Sequence, residues 1–154
     1  MKTAMSLHVS ATVLVCSTTA FGQIKNGTEI TKEIQDFCQQ YDNTWNTKGA
    51  VAVANTFFAD DVVFTAPNGA VVNGKATLAK IWGEVYKDPS AHKCTVTGAH
   101  AQGDGAWAYG EVLISDTSGK PTGHVSWAGF ETKQSGQWKV QMLHTSIIAP
   151  KDKE

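Results

Sequence analysis

Four runs of strand-forming residues close the chain, each separated from the next by turn chemistry. They span residues 91–102, 105–116, 122–133 and 137–148. Gly103-Asp104-Gly105, Ser118-Gly119-Lys120-Pro121 and Gln134-Ser135-Gly136 stand between them. Such short connections suit hairpins, whereas a parallel pair needs a crossover of a dozen residues or more. The last third of the chain therefore reads as an antiparallel meander.

The preceding residues follow a helical period. Ile30, Ile34, Phe37, Cys38, Tyr41 and Trp45 recur as one apolar stripe, with Thr28 or Thr31 as the expected cap and Lys48-Gly49 as the stop. A second, Ala-rich helix is predicted over residues 50–59, closed by Phe57-Phe58, with Asp60-Asp61 ending it and capping the turn. Val62 to Thr65 and Val71-Val72 read as a short strand pair around the turn Pro67-Asn68-Gly69. After Asn73-Gly74 a third helix presents Leu78, Ile81, Trp82 and Val85 on one face and stops at Asp88-Pro89. Helices first and sequential strands afterwards specify an α+β domain with its sheet covered on one side.

The first 22 residues are read apart from this domain. Lys2 supplies a positive charge, Val9 to Val15 is a short, mostly apolar run, and Ala20-Phe21-Gly22 places small residues before a cut that leaves Gln23 first. That is the pattern of a secretory signal peptide, and the run is too short to span a bilayer. Residues 23–154 are then one domain, and periplasmic or secreted localisation is the expectation. The formal net charge is −1, and arginine is absent from all 154 residues. A near-neutral chain with no basic cluster argues against nucleic acid and anionic membrane as partners. Without the bidentate guanidinium fork, a phosphate or planar carboxylate ligand is also disfavoured. Asn26-Gly27-Thr28 matches a glycosylation acceptor, relevant in a eukaryotic host. Cys38 and Cys94 fall on the first helix and on a strand; a disulfide and a pair of buried thiols both fit.

Several local features carry a family resemblance. They are Trp45-Asn46 with Lys48-Gly49, the block from Phe58 to Phe64, Gly74 opening the third helix, and Trp138 followed by His144 and Ser146. In this order they resemble the NTF2-like superfamily, and most closely its SnoaL-like branch, over residues 30–148. The resemblance implies a cone-shaped α+β fold, with three N-terminal helices on a strongly curved, mainly antiparallel sheet. It also implies an inner hollow and pairing of two copies through the outer sheet face. The superfamily hosts isomerases, dehydratases, cyclases and binding modules, so the fold alone assigns no reaction.

Strand alternation sorts the candidate residues. Trp138, Val140, Met142, His144 and Ser146 share one face of the last strand, and the resemblance implies that this face looks into the cone. His144 is then the foremost acid–base or hydrogen-bonding group, because imidazole titrates near neutrality. A core histidine held by Ser146 or a backbone carbonyl is the plainer alternative. Glu111 is the second catalytic candidate; beside Tyr109 it lines the cavity as a base or faces solvent. Tyr41, Trp45, Phe58, Phe64, Trp82, Tyr109, Trp127, Met142 and Ser146 are the candidate ligand-binding residues. His92, His100 and His124 are scattered, and no metal-binding spacing, nucleophile elbow or phosphate loop appears. No metal and no cofactor are expected. The partner expected is a small, mostly apolar molecule, with a second copy of the chain. Acid–base turnover and pure assembly are the alternatives.

Overall fold

The computed structural model describes residues 27–149. The expected leader over residues 1–22, the asparagine of the glycosylation motif and most of the charged tail lie outside them. Helix α1 (Gly27–Lys48) is followed by α2 (Ala50–Phe57), strands β1 (Phe58–Thr65) and β2 (Val71–Asn73), and α3 (Lys75–Val85). Then come β3 (Ala91–Gln102), β4 (Gly105–Ser115), β5 (Pro121–Gln134) and β6 (Gln137–Ile147). One six-stranded sheet has the order β2-β1-β6-β5-β4-β3. Among the described residues only the β1–β6 pair is parallel. The predicted α+β arrangement of three helices on a curved, mostly antiparallel sheet is the one observed.

Helix α1 buries the expected stripe: Ile30, Ile34, Phe37, Cys38 and Trp45 are all buried, with Tyr41 partly so. Gly49 then takes φ of 81°, a left-handed value that glycine adopts without Cβ strain, and turns the chain straight into α2. Three local expectations are corrected. Thr31 caps nothing; its hydroxyl donates to the Gly27 carbonyl one turn back. Helix α2 stops at Phe57, because Phe58 is extended and pairs with Val140 of β6, so Asp60 and Asp61 belong to β1 rather than to a helix end. Val85 is on the predicted stripe of α3 but exposed, since the helix has run past the core formed by Leu78 and Trp82.

Helix α1 also does something its apolar pattern does not announce. Strand β3 is a sheet edge, and an edge leaves alternate backbone groups unpaired. Side chains of α1 pair with them. Asn46 accepts from the His92 N–H at 2.7 Å and donates to the His92 carbonyl at 3.1 Å. Asp42 accepts from Cys94 N–H, Gln35 from Val96 N–H and Thr31 from Ala99 N–H. Positions 31, 35, 42 and 46 recur at helical spacing, so one polar row of α1 tracks one strand.

Two of the four register irregularities among the described residues of the sheet bear on the cavity. Beside the β3 bulge between Val96 and Gly98, Gly110 of β4 lies so close to β3 that a Cβ there would sit 1.9 Å from the Thr95 carbonyl oxygen. Glycine is required by that approach. The second irregularity is in β6. Phe130 pairs with Met142, and the next residue of β5, Glu131, pairs with Val140. Gln141 is therefore an extra residue, a bulge that reverses the inward–outward phase of everything after it.

Candidate functional site

Between the helices and the concave sheet face lies an open-mouthed cavity of about 100 Å³. Each element contributes by its inward phase. Helix α1 sends Tyr41 and Trp45, α3 sends Trp82, and β1 sends Phe64. The sheet contributes Val112 and Ile114 of β4, Val125 and Trp127 of β5, and Val140, Leu143 and Thr145 of β6. Almost all of this wall is apolar. The aromatic rings hold one another edge-on: Trp82 is T-shaped to Trp45 at 5.5 Å, to Phe58 at 5.3 Å and to Phe64 at 5.6 Å. Such contacts fix ring positions and add to plain area burial.

One imidazole is set into this apolar wall. His92, the second residue of β3, lines the cavity and stacks on Trp45 at 4.6 Å with 27° between the ring planes. Its Nδ1 is 3.0 Å from Asp42 Oδ1, and the other Asp42 oxygen accepts the Cys94 N–H at 2.7 Å. A carboxylate only accepts, so in the neutral ring Nδ1 carries the proton and donates. Nε2 keeps its lone pair and has no protein partner among the described residues. An imidazole steadied by a carboxylate, with the other nitrogen free, is an arrangement suited to taking a proton or binding a polar atom. Tyr41 packs against the same imidazole at 5.5 Å. Burial holds its phenol well above the ordinary tyrosine range, so it offers an O–H donor at neutral pH.

Of the candidate ligand-binding residues, Tyr41, Trp45, Phe64, Trp82 and Trp127 line the cavity. Phe58 is buried behind Trp82, in the core. Tyr109, Met142 and Ser146 lie outside it, on the outer sheet face, with the two catalytic candidates. The expectation that Met142, His144 and Ser146 share a face with Val140 is corrected by the Gln141 bulge. Leu143 and Thr145 point inward, and Met142 and His144 are exposed. His144 Nε2 sits 3.0 Å from Ser146 Oγ on that outer face. Glu111 is likewise exposed, and its carboxylate meets His124 Nε2 at 2.8 Å. Nearby, Trp107 stacks between His100 and Tyr109, at 4.1 Å and 6.1 Å. Trp107, Tyr109, Leu113 and Met142 are 40–51% exposed, an apolar patch on the outside of the sheet.

Sequence reasoning missed His92 and Asp42 as a pair. A signal existed: Asp42 lies on the buried side of α1 between Tyr41 and Trp45, where a carboxylate demands a partner. It missed Glu131 as well, a β5 residue on the inward phase and 2% exposed. Burial raises its carboxyl to about 8, and Oε2 has no hydrogen-bond partner among the described residues. Among the described residues no three His, Cys, Asp or Glu side chains converge as metal ligands, and no helix is long and apolar enough to cross a membrane.

The model of the SnoaL-like domain family matches residues 38–140. Solved structures with the same fold include an NTF2-like protein of unknown function from Pseudomonas putida, 20% identical, with a TM-score of 0.66 over 84% of this chain and 92% of that one. A protein of unknown function from Mycobacterium tuberculosis is 23% identical, with a TM-score of 0.67 over 80% of this chain and 79% of that one. An uncharacterised protein with a cystatin-like fold from Caulobacter vibrioides is 19% identical, with a TM-score of 0.64 over 79% and 92% of the two chains. No curated protein sequence matches.

Proposed function

The chain belongs to the SnoaL-like domain family, and from that premise we propose that it is an exported binding domain for a small, mostly apolar molecule. The observation that carries this reading is the cavity wall: a ring of mutually packed aromatics with an imidazole–carboxylate pair set into it. Apolar walls with a few oriented polar groups are what small-molecule sites need. No arginine is available to hold an anion, and Asp42 is already occupied by His92 and the Cys94 amide. A neutral ligand with one hydrogen-bonding atom directed at His92 Nε2 fits best. Export rests on the leader pattern of residues 1–22.

Titration with the neutral fluorescent probe N-phenyl-1-naphthylamine tests this. Saturable one-to-one binding is expected, weakened about tenfold or more by Trp45→Ala, which removes a wall residue worth about 1.4 kcal/mol or more. Absence of saturable binding, or binding indifferent to Trp45→Ala, overturns the reading.

The His92–Asp42 geometry favours one second reading, acid–base turnover inside the same cavity. His92 Nε2 takes a proton from the substrate, Asp42 stabilises the resulting imidazolium, and the Tyr41 hydroxyl supports developing negative charge. His144 and Glu111, expected to do this work, face away from the cavity, so turnover by them needs a separate outer site. The reading also includes a homodimer formed through the outer face, supported by the exposed patch of Trp107, Tyr109, Leu113 and Met142.

A further inference from the structure

We propose that Cys38 and Cys94 are joined as a disulfide that staples α1 to the edge strand β3 through the cavity wall. The two sulfur atoms are unbonded in the structure yet only 2.6 Å apart, a separation that non-bonded sulfurs do not keep. Both side chains are buried, at 6% and 9% exposure, and both line the cavity.

The backbone is set for this pairing independently of the sulfurs. Asp42, one turn after Cys38 on α1, accepts the Cys94 N–H at 2.7 Å. Gln35, on the other side of Cys38, reaches the Cys94 carbonyl at 3.4 Å and the Val96 N–H at 2.9 Å. Three hydrogen bonds thus lock α1 and β3 in the register at which the cysteines face each other, and bridging them needs the sulfurs to close by about half an ångström. The bond closes a loop between residues 56 positions apart, which contains α2, β1, β2 and α3.

Formation belongs to folding rather than to the finished fold. The neighbouring Cys94 thiol, together with burial, holds the folded Cys38 thiol far above its ordinary range, and a protonated, buried thiol is a poor nucleophile. In the unfolded chain both thiols are accessible. One thiolate attacks a small-molecule disulfide such as glutathione disulfide, forming a mixed disulfide and releasing one glutathione thiolate. The second cysteine thiolate then attacks the protein-side sulfur and displaces the other glutathione. Two electrons pass from the cysteines to the glutathione disulfide, and the two protons end on the released thiols. A compartment that holds such an oxidant is the one the leader pattern predicts.

The test uses the full chain, unfolded and reduced, then refolded in a buffer of reduced and oxidised glutathione. It is then alkylated with iodoacetamide in denaturant and mapped by mass spectrometry without reductant. The expected product is a Cys38–Cys94 cross-linked peptide, about 2 Da lighter than its two thiol halves together; Cys16 is scored separately. Reduction should lower Tm by about 10 °C, and the Cys38→Ala/Cys94→Ala variant should show no such response. The wild-type comparison stands even where that variant does not fold. Recovery of both cysteines as alkylated thiols or as separate glutathione adducts from natively folded protein overturns the proposal. So does a cross-link whose reduction leaves Tm unchanged.

Discussion

Val140 and Met142 are two residues apart in β6, yet Val140 is buried against the helices and Met142 is half exposed on the opposite face of the sheet. In a regular strand they would share a face. The bulge at Gln141 separates them, and with them it separates the cavity from the outer surface.

That separation makes an asymmetric prediction for neighbouring residues. Leu143→Ala removes part of the cavity wall and is expected to cost about 1–2 kcal/mol, at the low end for leucine because the side chain is only partly buried. His144→Ala should change stability by no more than about 0.5 kcal/mol. Urea unfolding of the two variants checks this; equal and large losses would mean that β6 keeps its phase through Gln141.

Asp42 serves His92 and the β3 edge at once. Asp42→Ala leaves both the imidazole Nδ1–H and the Cys94 N–H without their acceptor, and the expected loss is about 2–4 kcal/mol. Asp42→Asn keeps one acceptor but turns an amide NH₂ towards a donor, so it should fall between the alanine variant and wild type. Denaturant midpoints rank the three proteins.

Glu131 makes stability depend on pH in an unusual direction for a carboxyl group. Its folded value of about 8 lies above the ordinary 4.5, so between those values the folded state holds a proton that the unfolded state releases. Its contribution is full below about pH 4.5 and is lost as pH rises through about 8. Glu131→Gln keeps the shape without the charge. Unfolding free energies measured from pH 5 to 9 should fall for wild type relative to this variant, by up to a few kcal/mol, since each tenfold change in a protonation equilibrium is worth roughly 1.4 kcal/mol. Parallel curves would show that Glu131 is ionised without cost.

The outer patch makes its own prediction about assembly. Trp107→Lys places a charge at the centre of the Trp107, Tyr109 and Met142 surface, and should convert a dimer to a monomer in sedimentation velocity while leaving the monomer's fold intact. A wild-type chain that sediments as a monomer at high concentration would remove this face as a self-association surface.

Much of the fold was legible because it follows from periodicity. The α1 stripe from Ile30 to Trp45 and the three hairpin turns need only local rules, and each survives in the structure. Phe58 was not legible as a strand residue, because its extended conformation is set by pairing with Val140 more than eighty residues later in the chain. The cavity was legible as aromatic residues that helix or strand phase turns inward: Tyr41, Trp45, Phe64, Trp82 and Trp127. Its polar centre was not. The face of His144 depends on one extra residue, Gln141, that no local pattern marks as a bulge. His92 and Asp42 are 50 positions apart, and only the docking of α1 along β3 brings them together.

That docking has a consequence for the solubility of the protein. Helix α1 stands where another strand would otherwise add to β3, and its side chains occupy the amide groups of His92, Cys94, Val96 and Ala99. While the helix is seated, no second molecule can extend the sheet on that side. Heat, acid or a substitution that lifts α1 first would expose a long template for β-pairing before the rest of the domain melts. Resistance to fibrillar aggregation is therefore held by a helix, and by four of its polar side chains rather than by its apolar stripe.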